Sequence, residues 1–273
     1  MTLPRPLSAA MHRCAMMAMR ASSACRTSSC VVFAIAALSP PRIARSRTLA
    51  DLAGKKIGVT GWRDSGNTWT RAACRREGVG VEDAMWYAGR LTEAHPITDR
   101  LDGFGRPGRI EAAPGERPMV DLLKEGGLDA VFTPFMPKGF FDQDSPLRQV
   151  LPDYRASEVA YFNDVGYVPG MHLIGFKAQF VRDNPWVMDE LSALIDASQR
   201  MWLEKREKYA DTTPWMIDEL RRCAADLPPN WNVSGFEENE VMIADFAHEL
   251  HAQGILPRLL TPAELFPLHA GVN

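Results

Sequence analysis

The chain has little that would commit it to metal, nucleic acid or a membrane. Its five cysteines (Cys14, Cys25, Cys30, Cys74, Cys223) form no C-x-x-C pair and no metal-ligand spacing, so they read as reduced, incidental thiols. His248-Glu-Leu-His251 holds two histidines three positions apart, not the four that place H-E-x-x-H ligands on one helix face, and reads as a structural pair. A formal net charge of −3, with no Lys/Arg stripe interleaved with aromatics, excludes the electrostatic footprint of a nucleic-acid binder. The apolar run Cys30 to Leu38 is far shorter than the roughly 20 residues a spanning helix needs.

Residues 1–46 also lack every Asp and Glu, and outside Cys30 to Leu38 they carry no strand or helix periodicity. Arg13, Arg20 and Arg26 ahead of that run, with Ser39-Pro-Pro behind it, give the outline of a secretory signal. The late start of the run and the poor cleavage site fit equally a start translated in the wrong frame. Residues 1–46 are therefore expected to be disordered and to pack poorly against the rest. Exported, the chain would be periplasmic; otherwise it is cytoplasmic.

What is present is an α/β pattern. At 273 residues, 46% hydrophobic and 24% charged, the chain has the composition of a soluble globule of one large domain or two lobes. Ile57-Gly58-Val59, bounded by Gly54 and Gly61, reads as a strand delivered into a helix over Asn67 to Arg76, with Ser65 as its cap. The unpaired N–H groups of Ser65 to Thr68, with the positive end of the helix dipole, favour a carboxylate or phosphate. An ordinary, well-capped turn has the same signature.

Asp83 to Gly89 reads as a second strand, Met119 to Gly127 as an amphipathic helix stopped by glycines, and Leu128 to Thr133 as a buried strand ending at Pro134. Between them, Glu93 to Pro118 is aperiodic, with five prolines and glycines from Gly103 to Pro114, and reads as a long loop of the kind that borders sites. Ligands of open α/β sheets sit outside the carboxyl ends of the strands, which gathers Thr60 to Asn67 with Thr133, Pro134, Phe135 and Met136. Further on, Ser157 to Phe162 is helix-like, and Val168 to Phe176 reads as an apolar strand carrying His172. Helices follow over Pro185 to Tyr209, Pro214 to Ala225 and Glu237 to Gln253, with a capped turn at Thr261-Pro-Ala-Glu. The apolar stripe of Trp186, Leu191, Leu194, Ile195, Met201 and Trp202 calls for a sheet to cover.

From about Arg47 to Phe266 a set of pieces occurs in a fixed order: Asp51-Leu-Ala-Gly-Lys-Lys-Ile-Gly-Val59, Trp69-Thr-Arg71, Asp129-Ala-Val, Leu151-Pro-Asp-Tyr154, Glu158-Val-Ala-Tyr161, Pro169-Gly-Met-His172, Asn184-Pro-Trp-Val187 and Leu260-Thr-Pro-Ala-Glu-Leu-Phe266. On these pieces the chain resembles the 4,5-dihydroxyphthalate decarboxylase-like branch of the type II periplasmic-binding-protein fold. The resemblance implies two α/β lobes hinged around a cleft. Residues 47–170 would form the second lobe, and residues 171–273 a hinge strand with the C-terminal helices of the first. Residues 1–46 match no part of the family, so the first lobe is expected to be incomplete.

The resemblance further implies loss of CO₂ from a dihydroxylated aromatic diacid to give 3,4-dihydroxybenzoate. A ring hydroxyl para to the departing carboxylate pushes electrons while the ring carbon is protonated. These steps need no metal or organic cofactor, and the partner is a small aromatic carboxylate. His172 is the expected general acid/base, with an unperturbed histidine pKa near the working pH. Ser65, Gly66, Asn67 and Thr68 would hold a carboxylate, Arg63 would add a charge-assisted bond, and Trp62 and Trp69 would offer an aromatic wall. For Arg71 and Trp69 the structural alternatives, a surface ion pair and a core anchor, are as compatible with the residues as contact with substrate. The same fold also serves solute-binding proteins that capture an organic anion and do no chemistry.

Overall fold

The computed structural model describes residues 33–37, 48–233 and 235–266. The chain divides into two compact units. The described residues of one are 33–37, 48–161 and 249–257; those of the other are 162–233, 235–248 and 258–266.

The first unit is built on a six-stranded sheet in the order β4-β3-β2-β5-β1-β6. Its strands are β1 (Phe33–Ala37), β2 (Lys56–Val59), β3 (Met85–Ala88), β4 (Ile110–Ala112), β5 (Ala130–Thr133) and β6 (Leu147–Gln149). Strand β2 runs parallel to both β3 and β5, with Gly58 opposite Tyr87 on one side and Val131 on the other. β3 and β4 are parallel as well, whereas β1 is antiparallel to β5 and to β6. Helix α1 (Ser65–Arg76) connects β2 to β3, and α2 (Met119–Lys124) leads into β5.

Alternation along the strands divides the core between two faces. Ile57, Val59, Trp86, Ala88, Ile110, Ala130 and Phe132 pack on one side with Ala73 and Cys74 of α1. Tyr87 and Val131 pack on the other with Met119, Val120, Leu122 and Leu123 of α2. Fully burying one large side chain such as Phe132 contributes about 1.5–3 kcal/mol. Gly58 is the point of closest approach to α2, since a Cβ there would lie 2.9 Å from Met119 Sδ and 3.1 Å from Leu128 and Val131. The chain steps outward from β2 through β3 to β4, then returns to place β5 on the opposite side of β2. This reversal is the switch point of an open α/β sheet, where loops diverge and leave room for a ligand.

The expected strands at Asp83 to Gly89 and Leu128 to Thr133 correspond to β3 and β5, and Met119 to Gly127 contains α2. Three expectations need correction. The apolar run Cys30 to Leu38 contributes β1, so part of the segment expected to pack poorly is hydrogen-bonded between β5 and β6; the rest of residues 1–46 lies outside the described residues. Helix α1 begins at Ser65 rather than Asn67, and its N-cap is Asp64 rather than Ser65. Asp and Ser are both strong caps, and adjacent in sequence they leave the first helical residue open. Residues 167–177 form no strand: an apolar run makes one only where a neighbour completes its ladder, and this run has no ladder partner among the described residues.

The second unit is helical. Helix α3 (Tyr154–Val165) runs into it, followed by α4 (Ala178–Asp183), α5 (Val187–Ala210), α6 (Met216–Asp226), the first part of α7 (Glu240–Ala252) and α8 (Pro262–Leu265). Thr261 caps α8 in a reciprocal box: its Oγ1 accepts from Glu264 N–H while Glu264 accepts from Thr261 N–H, as the Thr-Pro-Ala-Glu signal expects. Tyr167 donates to Asp245 at 2.7 Å. Of the stripe expected to cover a sheet, Trp186, Leu194, Met201 and Trp202 are exposed.

Candidate functional site at the carboxyl edge of the sheet

Strand β2 ends at Val59, and the chain turns at once through Thr60-Gly-Trp-Arg-Asp64 into α1. A self-contained polar network holds that turn. Asn67, only 2% exposed, donates from Nδ2 to Gly61 O at 2.8 Å, Thr60 Oγ1 at 3.0 Å and Asp64 Oδ2 at 3.2 Å. Thr60 Oγ1 donates to Asp64 Oδ2 at 3.1 Å, and Thr68 Oγ1 to Asp64 O at 3.2 Å. The turn therefore carries its own carboxylate. That carboxylate makes no cap hydrogen bond to the N–H groups of the first helical turn.

Arg71 fixes the same turn from beneath. Its guanidinium is buried and lies over the Trp62 ring, 4.0 Å from the centroid. Nη2 donates to Trp62 O at 2.7 Å and to Thr68 Oγ1 at 3.3 Å, while Nε donates to Gln253 Oε1 at 2.7 Å. Gln253 in turn donates to Thr68 O at 3.0 Å. Burial pulls the guanidinium down to about 9, which leaves it protonated at neutral pH. One turn further along α1, Arg75 pairs with Glu249, and that hydrogen bond raises the pKa of Arg75.

The loop after β3 closes over the edge. Gly89 N–H donates to Val59 O at 3.0 Å. Arg100 reaches back to donate to Thr60 O at 2.9 Å and to Pro96 O at 3.2 Å, while its own carbonyl accepts from Trp62 N–H. His95 is half-buried, with Nδ1 2.9 Å from Thr92 Oγ1 and its ring centroid 6.4 Å from that of Phe135. Phe135 follows β5 and is 62% exposed. Its N–H donates to Thr133 Oγ1, and Thr133 Oγ1 donates to Phe135 O, both at 3.1 Å, so the buried Thr133 sets the direction of that loop.

The structure thus brings the Thr60 to Asn67 turn and Thr133-Pro134 to adjacent strand ends. It also separates accessible members from internal ones. Arg63 and Pro134 are exposed, and Ser65 and Gly66 are half-buried. Trp62 and Trp69, expected as an aromatic wall, are core residues at 0% and 4% exposure, and Asn67, Thr68 and Thr133 are buried too. The exposed ring at this edge is Phe135 instead. His172 lies in the helical unit, exposed, within the stretch 167–177 that has no helix or strand.

Sequence reasoning missed His95 and Arg100; Asp64 and Phe135 fell within the ranges it gathered, Thr60 to Asn67 and Thr133 to Met136, but carried no assigned role. His95 and Arg100 fall in the aperiodic segment after β3, whose only signal was its length. No group of His, Cys, Asp and Glu among the described residues is arranged to hold a metal ion, and no helix among them is long and apolar enough to cross a membrane.

No family model matches the chain. It is 27% identical over 221 residues to a 4,5-dihydroxyphthalate decarboxylase of Comamonas testosteroni, covering 80% of this chain and 67% of that protein. It is 25% identical over 119 residues to a 4,5-dihydroxyphthalate decarboxylase of Pseudomonas putida, covering 43% of this chain and 46% of that one. Among solved structures it is similar to the periplasmic aliphatic sulphonate binding protein SsuA from Escherichia coli, with a TM-score of 0.46 at 12% identity over 88% of this chain and 70% of that one. The alkanesulfonate-binding protein SsuA from Xanthomonas axonopodis pv. citri, bound to MOPS, gives a TM-score of 0.45 at 13% identity, over 87% and 70%.

Proposed function

We propose that this chain, a relative of the 4,5-dihydroxyphthalate decarboxylases, takes a dihydroxylated aromatic dicarboxylate at the carboxyl edge of β2 and β5 and releases CO₂ from it. The observation that carries the reading is the sequence similarity to two decarboxylases, one match reaching across 221 residues. In support of the reading, an exposed aromatic ring beside a histidine and a helix N-terminus follow the neighbouring strands β5, β3 and β2 at a switch point.

The chemistry sets what the site must supply. The ring carbon bearing the departing carboxylate takes a proton, the positive charge being shared with the para hydroxyl oxygen. The carbon–carbon bond then breaks, its electron pair restores the aromatic ring, and CO₂ leaves. A proton donor at the ring carbon, a platform for the ring and a hold on the remaining carboxylate are sufficient. Arg63 and the N-terminal turn at Ser65 and Gly66 are suited to the last, and Phe135 to the second. For the first, the resemblance names His172, and the edge itself offers His95.

The test is incubation of the full chain with 4,5-dihydroxyphthalate, following CO₂ release and 3,4-dihydroxybenzoate together with calorimetric binding. Stoichiometric appearance of both products is expected. Tight binding without products would replace the catalytic reading with capture of an organic anion, and absence of binding would overturn both.

A further inference from the structure

We propose that His95 is the proton donor to the ring carbon and that Phe135 is the platform on which the substrate ring lies; the proposal rests on the decarboxylase reading above. Four observations carry it.

The first is position. His95 and Phe135 come from the loops that follow β3 and β5, on either side of the switch point at β2, and their rings are in contact at 6.4 Å with planes inclined by 37°. The second is orientation. A 2.9 Å hydrogen bond fixes Nδ1 to Thr92 Oγ1, and His95 N–H donates to Thr92 O at 3.1 Å, closing a tight turn that holds the imidazole by backbone and side chain together. With Nδ1 so engaged, Nε2 at the far end of the ring is left to exchange a proton, and it makes no hydrogen bond among the described residues. A histidine fixed at one nitrogen and open at the other is the arrangement proton transfer requires.

The third observation is exposure. Phe135 shows 62% of its surface at a position where the chain has just left a fully buried strand. An exposed phenylalanine side by side with an oriented imidazole suits an aromatic ligand stacked on one and protonated by the other. Support beneath it is rigid, because the Thr133 hydroxyl bonds both the N–H and the carbonyl of Phe135. The fourth is contrast with the other histidine. His172 has no hydrogen-bond partner among the described residues and lies in a stretch without secondary structure, so nothing described there orients its ring.

The step balances without a further reactant. Nε2–H of the imidazolium transfers its proton to the ring carbon, the carboxylate leaves as CO₂, and the neutral imidazole is reprotonated by solvent; one proton is consumed for each CO₂ released.

The experiment compares the wild-type chain with His95→Asn, His172→Gln and Phe135→Ala for product formation, calorimetric binding and melting temperature. His95→Asn is chosen because asparagine can keep the hydrogen bond to Thr92 while lacking a group at Nε2. Turnover is expected to fall by about 10²- to 10⁴-fold in His95→Asn, with binding and melting temperature unchanged, as loss of a general acid requires. Phe135→Ala should weaken binding about tenfold. Wild-type turnover in a folded His95→Asn chain overturns the proposal while leaving the decarboxylase reading intact, and so does loss of turnover confined to His172→Gln. If the wild type binds the diacid and forms no product, the decarboxylase reading falls and the proton-donor role falls with it.

Discussion

Arg71 and Gln253 are separated by 182 positions in sequence and joined by a single buried hydrogen bond of 2.7 Å, so their coupling tests the first unit's construction directly. Arg71→Met removes the donor to Gln253 Oε1, Trp62 O and Thr68 Oγ1. Gln253→Met removes the acceptor from Arg71 Nε and the donor to Thr68 O and Glu249 Oε2. Each single change removes three hydrogen bonds, and a buried group left without any partner costs about 1–3 kcal/mol. Removing the Arg71 charge offsets part of this, because burial disfavours the charged form, as its pKa of about 9 indicates. The double variant loses the same outer bonds as the two singles, but both ends of the Arg71–Gln253 bond are gone at once, so neither end is left unpaired. Its destabilisation should therefore fall short of the sum of the single effects by about 1.5–3 kcal/mol, the range for a hydrogen bond from a charged donor.

Urea unfolding at pH 7 measures the cycle, read by hydrogen exchange of the β2 and β3 amides so that only the first unit is reported. Additivity within about 0.5 kcal/mol would refute the reasoning, since it would mean that residues 249–257 do not pack on α1 as described. The Trp62 N–H, which donates to Arg100 O, supplies a second readout: its exchange should accelerate in Arg71→Met, because the neighbouring carbonyl has lost its clamp.

Further outcomes follow from single sites. A Cβ on Gly89 would lie 2.5 Å from Ala113 Cβ and 3.3 Å from Met119 Cγ, so Gly89→Ala should cost about 1–3 kcal/mol in a melting experiment, recovered in part by Ala113→Gly; an unchanged melting temperature would disprove the close approach. Cys74 is buried and its thiol is pushed up to about 12, so iodoacetamide at pH 8 should spare it and label the exposed Cys223, as peptide mass mapping would read. The Glu264 carboxyl is held down to about 2 by Arg258, then by Thr261 N–H. A depressed carboxylate contributes fully above its unfolded value of 4.5, and that contribution is lost as pH falls through about 2. The Thr261 amide resonance should follow this window in the wild type and lose it in Glu264→Gln; the same titration in both would exclude the cap.

The pattern of success in reading the sequence has a physical origin. β2, α1, β3, α2 and β5 were legible because each is short, uniformly apolar or amphipathic, and punctuated by glycine or a capping residue, which are local signals. Their order in the sheet brings Thr60 and Thr133 together by topology alone, so the edge could be anticipated before any side chain was placed. Strand identity failed where it depends on a distant neighbour. Val168 to Phe176 and Cys30 to Leu38 are both apolar runs, yet only the second meets partner strands, through Ile35 opposite Val131 and Gln149. Trp62 carried an ambiguous signal because a tryptophan after a strand fits a ligand wall or a core equally, and only Arg71 stacked on its face, with Trp86 edge-on at 6.1 Å, decides for the core.

The charge at the edge bears on whether this fold acts on an anion or merely holds it. A protein built to capture a dianion gains from several uncommitted cations converging on one point. At this edge the terminal nitrogens of Arg100 are committed to the carbonyls of Thr60 and Pro96, and the cap position of α1 already holds the Asp64 carboxylate. Among the described residues of the β2–α1 turn, a dianion would meet one exposed arginine, Arg63, and the N–H groups of a helix turn, enough to hold one carboxylate group. A second carboxylate placed near Asp64 would sit beside like charge, and its departure as neutral CO₂ would relieve that repulsion in the direction of reaction. Under the proposed reaction such a site would hold one carboxylate and oppose the other, whereas a site for capture alone gains nothing from opposing either, so tight binding that survives Asp64→Asn unchanged, with no gain in affinity, would count against this role of Asp64.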